Sequence, residues 1–160
     1  MISIRSAKIA DAPLLTALIR ELAEYEHVAH EAAVSEENVT RDGFGPRPKF
    51  RAIIAELDGQ VAGYALFFEF YSSFQGCAGL LLDDIFVRPQ FRRKGVGRAL
   101  LAHVASIALR EDYFCIRMEV LSENELGFAF FQRMDAAVLD DWQSMVLIGD
   151  PLQAIAGQAT

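Results

Sequence analysis

Two apolar runs separated by an Asp-Gly dipeptide constrain the fold of this chain more than any other feature. The run "FRAIIAEL" ends at Leu57, Asp58-Gly59 follows, and "QVAGYALFFEF" begins at Gln60. Both runs are rich in β-branched and aromatic residues, and Asp-Gly is a dipeptide that two-residue hairpin turns prefer. After the loop "YSSFQG" comes a further apolar run, "GLLLDDIFV". The sequence therefore predicts a β-hairpin followed by a third long strand.

Helices and further strands can be assigned on both sides of this region. Before it, "ISIRSA" alternates as a short strand does, Asp11 can cap a helix that ends near Tyr25 to His27, and a short helix follows Ser35. After it we assign a helix, a strand, a shorter helix and a final pair of strands: "GVGRALLAHVASIAL", "YFCIRMEV", "NELGFAFFQRM" and "AAVLDDWQSMVLI". The order β-α-α-β-β-β-α-β-α-β-β predicts an α/β (α+β) fold, built as a single domain over residues 1–160.

Composition narrows the classes of function. The chain of 160 residues is 52% hydrophobic and carries a net charge of −7. This charge argues against general nucleic-acid binding, which needs a positive surface, and it is compatible with a cationic substrate. The first residues do not have the pattern of a signal peptide, and no apolar run is long enough to span a membrane. Cys77 and Cys115 are too few for a disulfide framework and lack metal-ligand spacing, so we predict a cytoplasmic protein without a metal.

The stretch "RRKGVG" is a candidate site for a diphosphate. It lies between a predicted strand and a predicted helix, whose first N–H groups lack internal partners. Glycines allow close approach to a phosphate, and flanking Arg and Lys supply positive charge. The alternative is a glycine-containing turn with solvated basic residues. A P-loop is absent, and a dinucleotide fingerprint would need Gly or Ala where Leu100 stands.

A longer pattern is more specific. A strand ends in "IFVRPQF", "RRKGVGRALL" follows, and Asn124 stands on a helix about thirty residues after the glycines. This resembles the GNAT N-acetyltransferase superfamily, whose glycine-containing signature holds the pyrophosphate of acetyl-CoA. The segments "LIRELAEYE", "DGFG", "YSSFQG" and "LDDIFV" resemble its spermidine/spermine (diamine) N-acetyltransferase branch.

The resemblance implies a fold and a cofactor site. The fold is a twisted mixed sheet of about six to seven strands flanked by helices, with the fourth and fifth strands splayed to admit the pantetheine arm of acetyl-CoA. The backbone of Ile85, Phe86 and Val87 would pair with that arm, and one of their N–H groups would polarise the thioester carbonyl. Asn124 would contact the cofactor, although Asn at this position is equally an ordinary helix cap. The other implied cofactor contacts are Arg92, Arg93, Lys94, Gly95, Val96, Gly97, Arg98, Gly127 and Phe131.

Two adjacent carboxylates lie inside the third strand. Acetyl transfer needs a neutral amine, yet aliphatic amines are mostly protonated near pH 7. A carboxylate can bind the ammonium and accept its proton, and burial raises the carboxyl pKa toward a useful range. Neighbouring strand residues face opposite sides unless a bulge intervenes, so Asp83 and Asp84 should not both point into one cleft. Either can instead face solvent or pair with arginine; the resemblance favours Asp83 as the substrate-binding acid.

The remaining site predictions also rest on the resemblance. Tyr25 and Glu26 match a substrate-contacting pair at the end of the first helix, and Phe74 stands where the family has a loop tryptophan. Phe131 occupies the position of the tyrosine that protonates the departing CoA thiolate. Loss of a general acid costs about 10²- to 10⁴-fold where proton transfer matters, but a thiol pKa near about 8.5 makes the thiolate a tolerable leaving group. Asp135 replaces a glycine, which predicts a changed turn after that helix.

These observations predict an acetyl-CoA-dependent N-acetyltransferase. Its acceptor would be the primary amine of a small cationic molecule such as a polyamine, a diamine or a lysine analogue, attacking directly in a ternary complex. One alternative is an acyl-CoA-binding module with weak or lost catalysis. Another is an acetyltransferase for an amino acid, an antibiotic or a protein N-terminus. Nucleic-acid and membrane partners are not expected, and the resemblance allows a homodimer.

Overall fold

A single mixed sheet carries the architecture. The computed structural model describes residues 1–30, 32–139 and 141–159. Within those ranges five strands follow one another across the sheet in chain order. They are β1 (Ile2–Ser6), β2 (Arg51–Leu57), β3 (Gln60–Ser72), β4 (Cys77–Val87) and β5 (Ile116–Met118). The first four pair antiparallel and β5 joins β4 in parallel, which confirms the predicted mixed sheet.

Five α-helices occur in the described part of the chain. They are α1 (Ala12–Tyr25), α2 (Glu36–Phe44), α3 (Val96–Arg110), α4 (Glu125–Gln132) and α5 (Gly149–Ala156). Internal contacts group the chain into two compact units, Met1–Glu123 and the part from Asn124 onward. The first unit holds the sheet with α1, α2 and α3, and the second holds α4 and α5.

The predicted hairpin between β2 and β3 is confirmed. Asp58 and Gly59 have φ angles of 52° and 77°, so both occupy the left-handed region. A two-residue turn with two left-handed residues matches the twist of the strands it joins. Leu57 therefore pairs directly with Gln60, and the ladder runs on from there.

Both faces of the sheet are covered where the core is deepest. Ile53 and Ile54 on β2 are both almost completely buried, although adjacent strand residues point to opposite faces. On the face of Ile54, the helices α1 and α2 pack against β2, β3 and β4; their buried contacts include Leu15, Leu18 and Val39. Helix α3 contacts β1 to β4 as well. Coverage on two faces explains why these strands are continuous apolar runs in the sequence.

Strand β4 has a bulge at its centre and separates from β5 shortly before it. Leu82 pairs with Phe67 and Asp84 pairs with Leu66, so Asp83 is an extra residue between them. The parallel ladder with β5 covers only Leu80 to Leu82. Beyond Leu82, β4 has no strand neighbour on that side within the described residues. The predicted splay between the fourth and fifth strands is thus present.

The prediction of six to seven strands was too high. The final strand pair assigned to "AAVLDDWQSMVLI" is wrong for the residues described there, since none of them is in a strand; Asp140 lies outside the described residues. Apolar character alone does not produce a strand, because β-structure depends on a partner strand and burial. Met145 in this segment is 96% exposed. The helix α5, which the sequence pattern did not indicate, begins at Gly149.

The cap predicted at Ser35 is present in the structure, and the cap predicted at Asp11 is not. Ser35 caps α2, since its Oγ accepts a hydrogen bond of 3.1 Å from the Asn38 N–H. Asp11 does not cap α1 with its side chain. Its carboxylate instead accepts bonds of 2.8 and 2.9 Å from Arg5 and one of 2.8 Å from the Lys8 N–H. Hydrogen bonds from the charged Arg5 are stronger than bonds from backbone N–H groups, so the carboxylate binds Arg5 and does not cap the helix.

In the second unit, the turn after α4 keeps the conformation that a glycine would adopt. Asp135 has a φ of 59°, and the N–H of Ala136 bonds back to the carbonyl of Phe131 at 3.2 Å. The expected change in this turn was therefore wrong, because aspartate tolerates the left-handed region in isolated positions.

Candidate active site

Asp84 is a carboxylate whose pKa is strongly changed by its surroundings. It is half-buried, and one carboxylate oxygen accepts a hydrogen bond of 2.8 Å from the hydroxyl of Tyr64. Burial raises the pKa of Asp84 from the usual 3.8 to about 6; the Tyr64 bond lowers it, and the charges of Asp83 and Glu26 raise it further. A carboxyl group with this pKa can act as a general base near neutral pH.

Asp83 occupies a different environment because of the bulge. Its side chain is exposed, whereas that of Asp84 is half-buried. Partial desolvation and the neighbouring charge of Glu119, one residue beyond β5, raise the pKa of Asp83. Asp84 thus accepts a hydrogen bond from Tyr64, whereas Asp83 has a like-charged neighbour, Glu119, where β4 and β5 diverge.

An aromatic cluster joins the end of α1 to the end of β4. The ring of Phe86 lies 6.4 Å from that of Tyr25 and 6.4 Å from that of Tyr64. The Arg92 guanidinium lies 4.2 Å from the Tyr25 ring centre, and its Nε donates to the Val87 carbonyl at 2.9 Å. The guanidinium of Arg92 packs in this cluster, and its predicted contact with the cofactor stays a prediction. The Phe86 ring connects the predicted substrate residue Tyr25 to Tyr64, the hydrogen-bond donor to Asp84.

A second set of contacts holds α1 against the end of β4. Arg88 donates to the Glu21 carboxylate at 2.8 and 2.6 Å, and also to the Val61 carbonyl at 3.1 Å. A two-point arginine–carboxylate pair fixes orientation as well as distance. The C-terminal half of α1, which leads to Tyr25, is thereby held against β3 and β4.

The turn before α3 has the geometry of an anion site. Gly95 precedes the helix with a φ of 85° and no side chain caps the helix start in the described residues. Arg93 is also left-handed, with a φ of 60°, which is uncommon for a residue other than glycine. Arg93, Lys94 and Arg98 are exposed. The first N–H groups of α3 therefore lie among three cationic side chains.

Among the residues that the structure describes, the last part of β4 has one edge without a strand partner. Ile85, Phe86 and Val87 pair with β3 on one side. On the other side the ladder with β5 has already ended at Leu82. Backbone groups on such an edge can pair with an extended ligand, although the Val87 carbonyl already accepts the bond from Arg92.

A family model for the "Acetyltransferase (GNAT) family" matches residues 15–136. The chain belongs to the GNAT acetyltransferase family. A mouse thialysine N-epsilon-acetyltransferase is 32% identical, with 97% of each chain covered. A human spermidine/spermine N(1)-acetyltransferase-like protein 1 is 29% identical over 80% of this chain and 19% of its own. A solved integron cassette protein from the V. cholerae mobile metagenome has a TM-score of 0.81 at 21% identity, covering 97% of both chains. The predicted resemblance is confirmed, and the protein is an acetyltransferase.

In this GNAT acetyltransferase, three predicted cofactor contacts belong to the second unit: Asn124, Gly127 and Phe131. Asn124 caps α4, because its Oδ1 accepts a 2.9 Å bond from the Gly127 N–H. A side chain on Gly127 would approach the Asn124 amide to 3.0 Å, so the capping side chain would have to shift slightly to accept it. Phe131 is buried, and its ring lies 5.1 Å from that of Phe130. The capping alternative for Asn124 is thus present in the structure, and the cofactor contacts of all three stay predictions.

Phe74 lies away from the two predicted carboxylates on β4 of the GNAT enzyme. It is 88% exposed in the turn between β3 and β4. Asp83 lies six residues beyond the start of β4 at Cys77, a distance of about 20 Å along an extended strand. The structure therefore does not bring Phe74 to the carboxylates of the same chain.

Three residues of this region were not predicted from the sequence: Tyr64, Glu21 and Arg88. A tyrosine inside an apolar strand is itself a signal, since a buried hydroxyl usually needs a partner. The Glu21–Arg88 pair spans 67 residues and has no local signal.

Within the described ranges no group of His, Cys, Asp and Glu side chains could hold a metal ion. None of the helices in those ranges is long and apolar enough to cross a membrane.

Proposed function

We propose that this acetyltransferase moves an acetyl group from acetyl-CoA to the primary amine of a small cationic acceptor, such as a polyamine, a diamine or a lysine analogue. The observation that carries the proposal is the half-buried Asp84, whose pKa is raised to about 6 beside the unpaired edge of β4. A thialysine acetyltransferase at 32% identity over nearly the whole chain supports the class of acceptor.

The residues around the start of α3 fit the diphosphate of acetyl-CoA. An uncapped helix start preceded by left-handed Gly95 offers backbone N–H groups, and the exposed Lys94 and Arg98 offer charge. Ile85 to Val87 would pair with the pantetheine arm through the edge that β5 leaves open. When bound, acetyl-CoA supplies the acetyl thioester. This chain binds and orients it between the α3 turn and the β4 edge.

The acidic residues fit the acceptor. Asp83 and Glu26 attract and hold the ammonium, and ionised Asp84 accepts the proton that the amine must lose. The amine nitrogen then forms the bond to the acetyl carbon, and the bond from that carbon to sulphur breaks. As the amide forms, its nitrogen releases the second proton to water, and the leaving thiolate takes a proton from water in turn, because Phe131 has none to give. A thiol pKa of about 8.5 makes this departure feasible without an internal acid.

The proposal is tested by following CoA release from acetyl-CoA with spermidine, spermine, putrescine, lysine and thialysine, against a blank without amine. We expect amine-dependent release with at least one of them, and an N-acetylated product in the mass spectrum. Calorimetry with CoA is run alongside. Tight CoA binding without amine-dependent release from any acceptor would contradict the proposal and favour a binding module.

The pH dependence provides a second check. Only ionised Asp84 can accept a proton, so kcat at saturating amine should fall about tenfold for each pH unit below about 6 and level off above it. The measurement is kcat from pH 4.5 to 9 in buffers of constant ionic strength. A rate that rises steadily through pH 6 to pH 9 without a break would assign the dependence to the amine alone.

A further inference from the structure

We propose that Tyr64 is a positioning residue that fixes the orientation of the Asp84 carboxylate toward the acceptor amine. This inference rests on the proposed function, because it assumes that Asp84 is the group that removes the proton. It adds a residue on β3 that touches neither the acceptor nor acetyl-CoA and acts through Asp84.

The geometry separates the hydroxyl of Tyr64 from the packing of its ring. Tyr64 is 0% exposed, within the apolar cluster that includes Leu15, Leu18 and Ile54. It pairs with Phe86 in the ladder, which makes it a diagonal neighbour of Asp84 on the same face of the sheet. A phenylalanine would fill the same apolar space without burying a hydroxyl. The hydroxyl therefore contributes the 2.8 Å bond to Asp84 rather than packing.

The hydrogen bond from Tyr64 also shifts the pKa of Asp84 in the opposite direction to the other groups around it. Burial, Asp83 on β4 and Glu26 after α1 all raise the pKa of Asp84, and the Tyr64 hydroxyl lowers it. Arg92 points its guanidinium at the rings of Tyr25 and Phe86. Burial and the charge of Asp84 raise the pKa of Tyr64 well above its usual range, so the phenol keeps its proton and stays a donor. Tyr64 thus keeps Asp84 both oriented and ionised at neutral pH.

The test is Tyr64→Phe, with Tyr113→Phe as the matched control. Tyr113 also donates a 2.8 Å hydrogen bond to a carboxylate, that of Glu69, in an exposed position. In Tyr64→Phe, the acidic limb of kcat/KM for the amine should move up by about one pH unit, because a lost bond to a charged acceptor disfavours ionisation. Activity then falls about tenfold below pH 5.5 and much less at pH 8.5, while the KM for acetyl-CoA stays within about twofold. Tyr113→Phe should keep the wild-type profile.

A second readout does not depend on catalysis. The carboxyl carbon of Asp84 is titrated by NMR in chains labelled at the aspartate side-chain carboxyl, and the signal is assigned by its loss in Asp84→Asn. The pKa of Asp84 should rise by about one unit in Tyr64→Phe and stay unchanged in Tyr113→Phe. An unchanged Asp84 titration in Tyr64→Phe overturns the inference, whatever the activity. A wild-type chain inactive with every amine would instead overturn the proposed function, and the titration would still decide what Tyr64 does to Asp84.

Discussion

Replacing Asp84 by asparagine is expected to lower kcat about 10²- to 10⁴-fold while making the fold more stable. Asparagine has nearly the same shape and can still accept the Tyr64 bond, but it cannot take a proton from the amine. Loss of a general base typically costs this factor. The measurement is kcat for the best acceptor at pH 8, where wild-type Asp84 is fully ionised.

The gain in stability follows from the sign of the pKa shift. Folding raises the pKa of Asp84 from 3.8 to about 6, so the folded chain binds the proton more tightly than the unfolded chain. The folded state therefore loses stability as pH rises from about 4 to about 6, and the full cost of about 2 to 3 kcal/mol is present at pH 7 and above. Asparagine removes that cost. Urea unfolding should show Asp84→Asn more stable than wild type at pH 7.5, with little difference near pH 4.

The control is Asp83→Asn, which makes the same chemical change at the neighbouring position. Asp83 is exposed in the bulge. Its loss should raise the KM for the amine by less than about tenfold and leave kcat within a few-fold, with little change in stability. A larger loss of kcat in Asp83→Asn than in Asp84→Asn would reverse the assignment and return the proton-accepting role to Asp83.

Reversing two charges at the start of α3 is expected to raise the KM for acetyl-CoA about 100-fold. Lys94 and Arg98 are exposed and flank the first N–H groups of the helix. Each exposed charge contributes about 0.5 to 1 kcal/mol to such an interaction. Lys94→Glu with Arg98→Glu replaces attraction by repulsion at both positions, which corresponds to about 2 to 3 kcal/mol. The measurement is the KM for acetyl-CoA at saturating amine, with kcat expected within about threefold of wild type.

The matched control is Arg47→Glu with Lys49→Glu, which changes the net charge equally in the exposed loop between α2 and β2. It should leave the KM for acetyl-CoA within about twofold. The effect at α3 should also shrink as salt rises from 50 to 500 mM, since exposed charges are screened. Equal effects of the two double variants would mean that net charge, not the α3 turn, governs binding.

The parts of the fold that the sequence predicted are those with local causes. The turn at Asp58-Gly59 needs two left-handed residues in succession, and few dipeptides supply them. Gly95 marks the start of α3 for the same reason, since its φ of 85° disfavours a side chain. The helix after Ser35 depended on a cap within three residues of sequence. Each of these signals is complete within a few positions.

The features that escaped prediction depend on groups far apart in sequence. The bulge at Asp83 is defined by the partner residues on β3, so β4 alone does not reveal it. The bond between Tyr64 and Asp84 spans 20 residues, so the sequence around Asp84 does not reveal this contribution to its pKa. The apolar segment after α4 was taken for two strands, because hydrophobicity shows a tendency to be buried and does not identify a partner.

With the roles proposed for Asp83 and Asp84, the bulge in β4 would make acceptor choice and proton removal separately adjustable. Asp84 belongs to the ladder and is bonded to a buried tyrosine, so most substitutions there disturb the core as well as the chemistry. Asp83 is an added residue with an exposed side chain, and its identity is not constrained by strand pairing. A chain built this way can change the charge or length that it presents to an acceptor at one position, while the group that takes the proton stays in place. Related sequences with different acceptors would then diverge at position 83 long before they diverge at position 84.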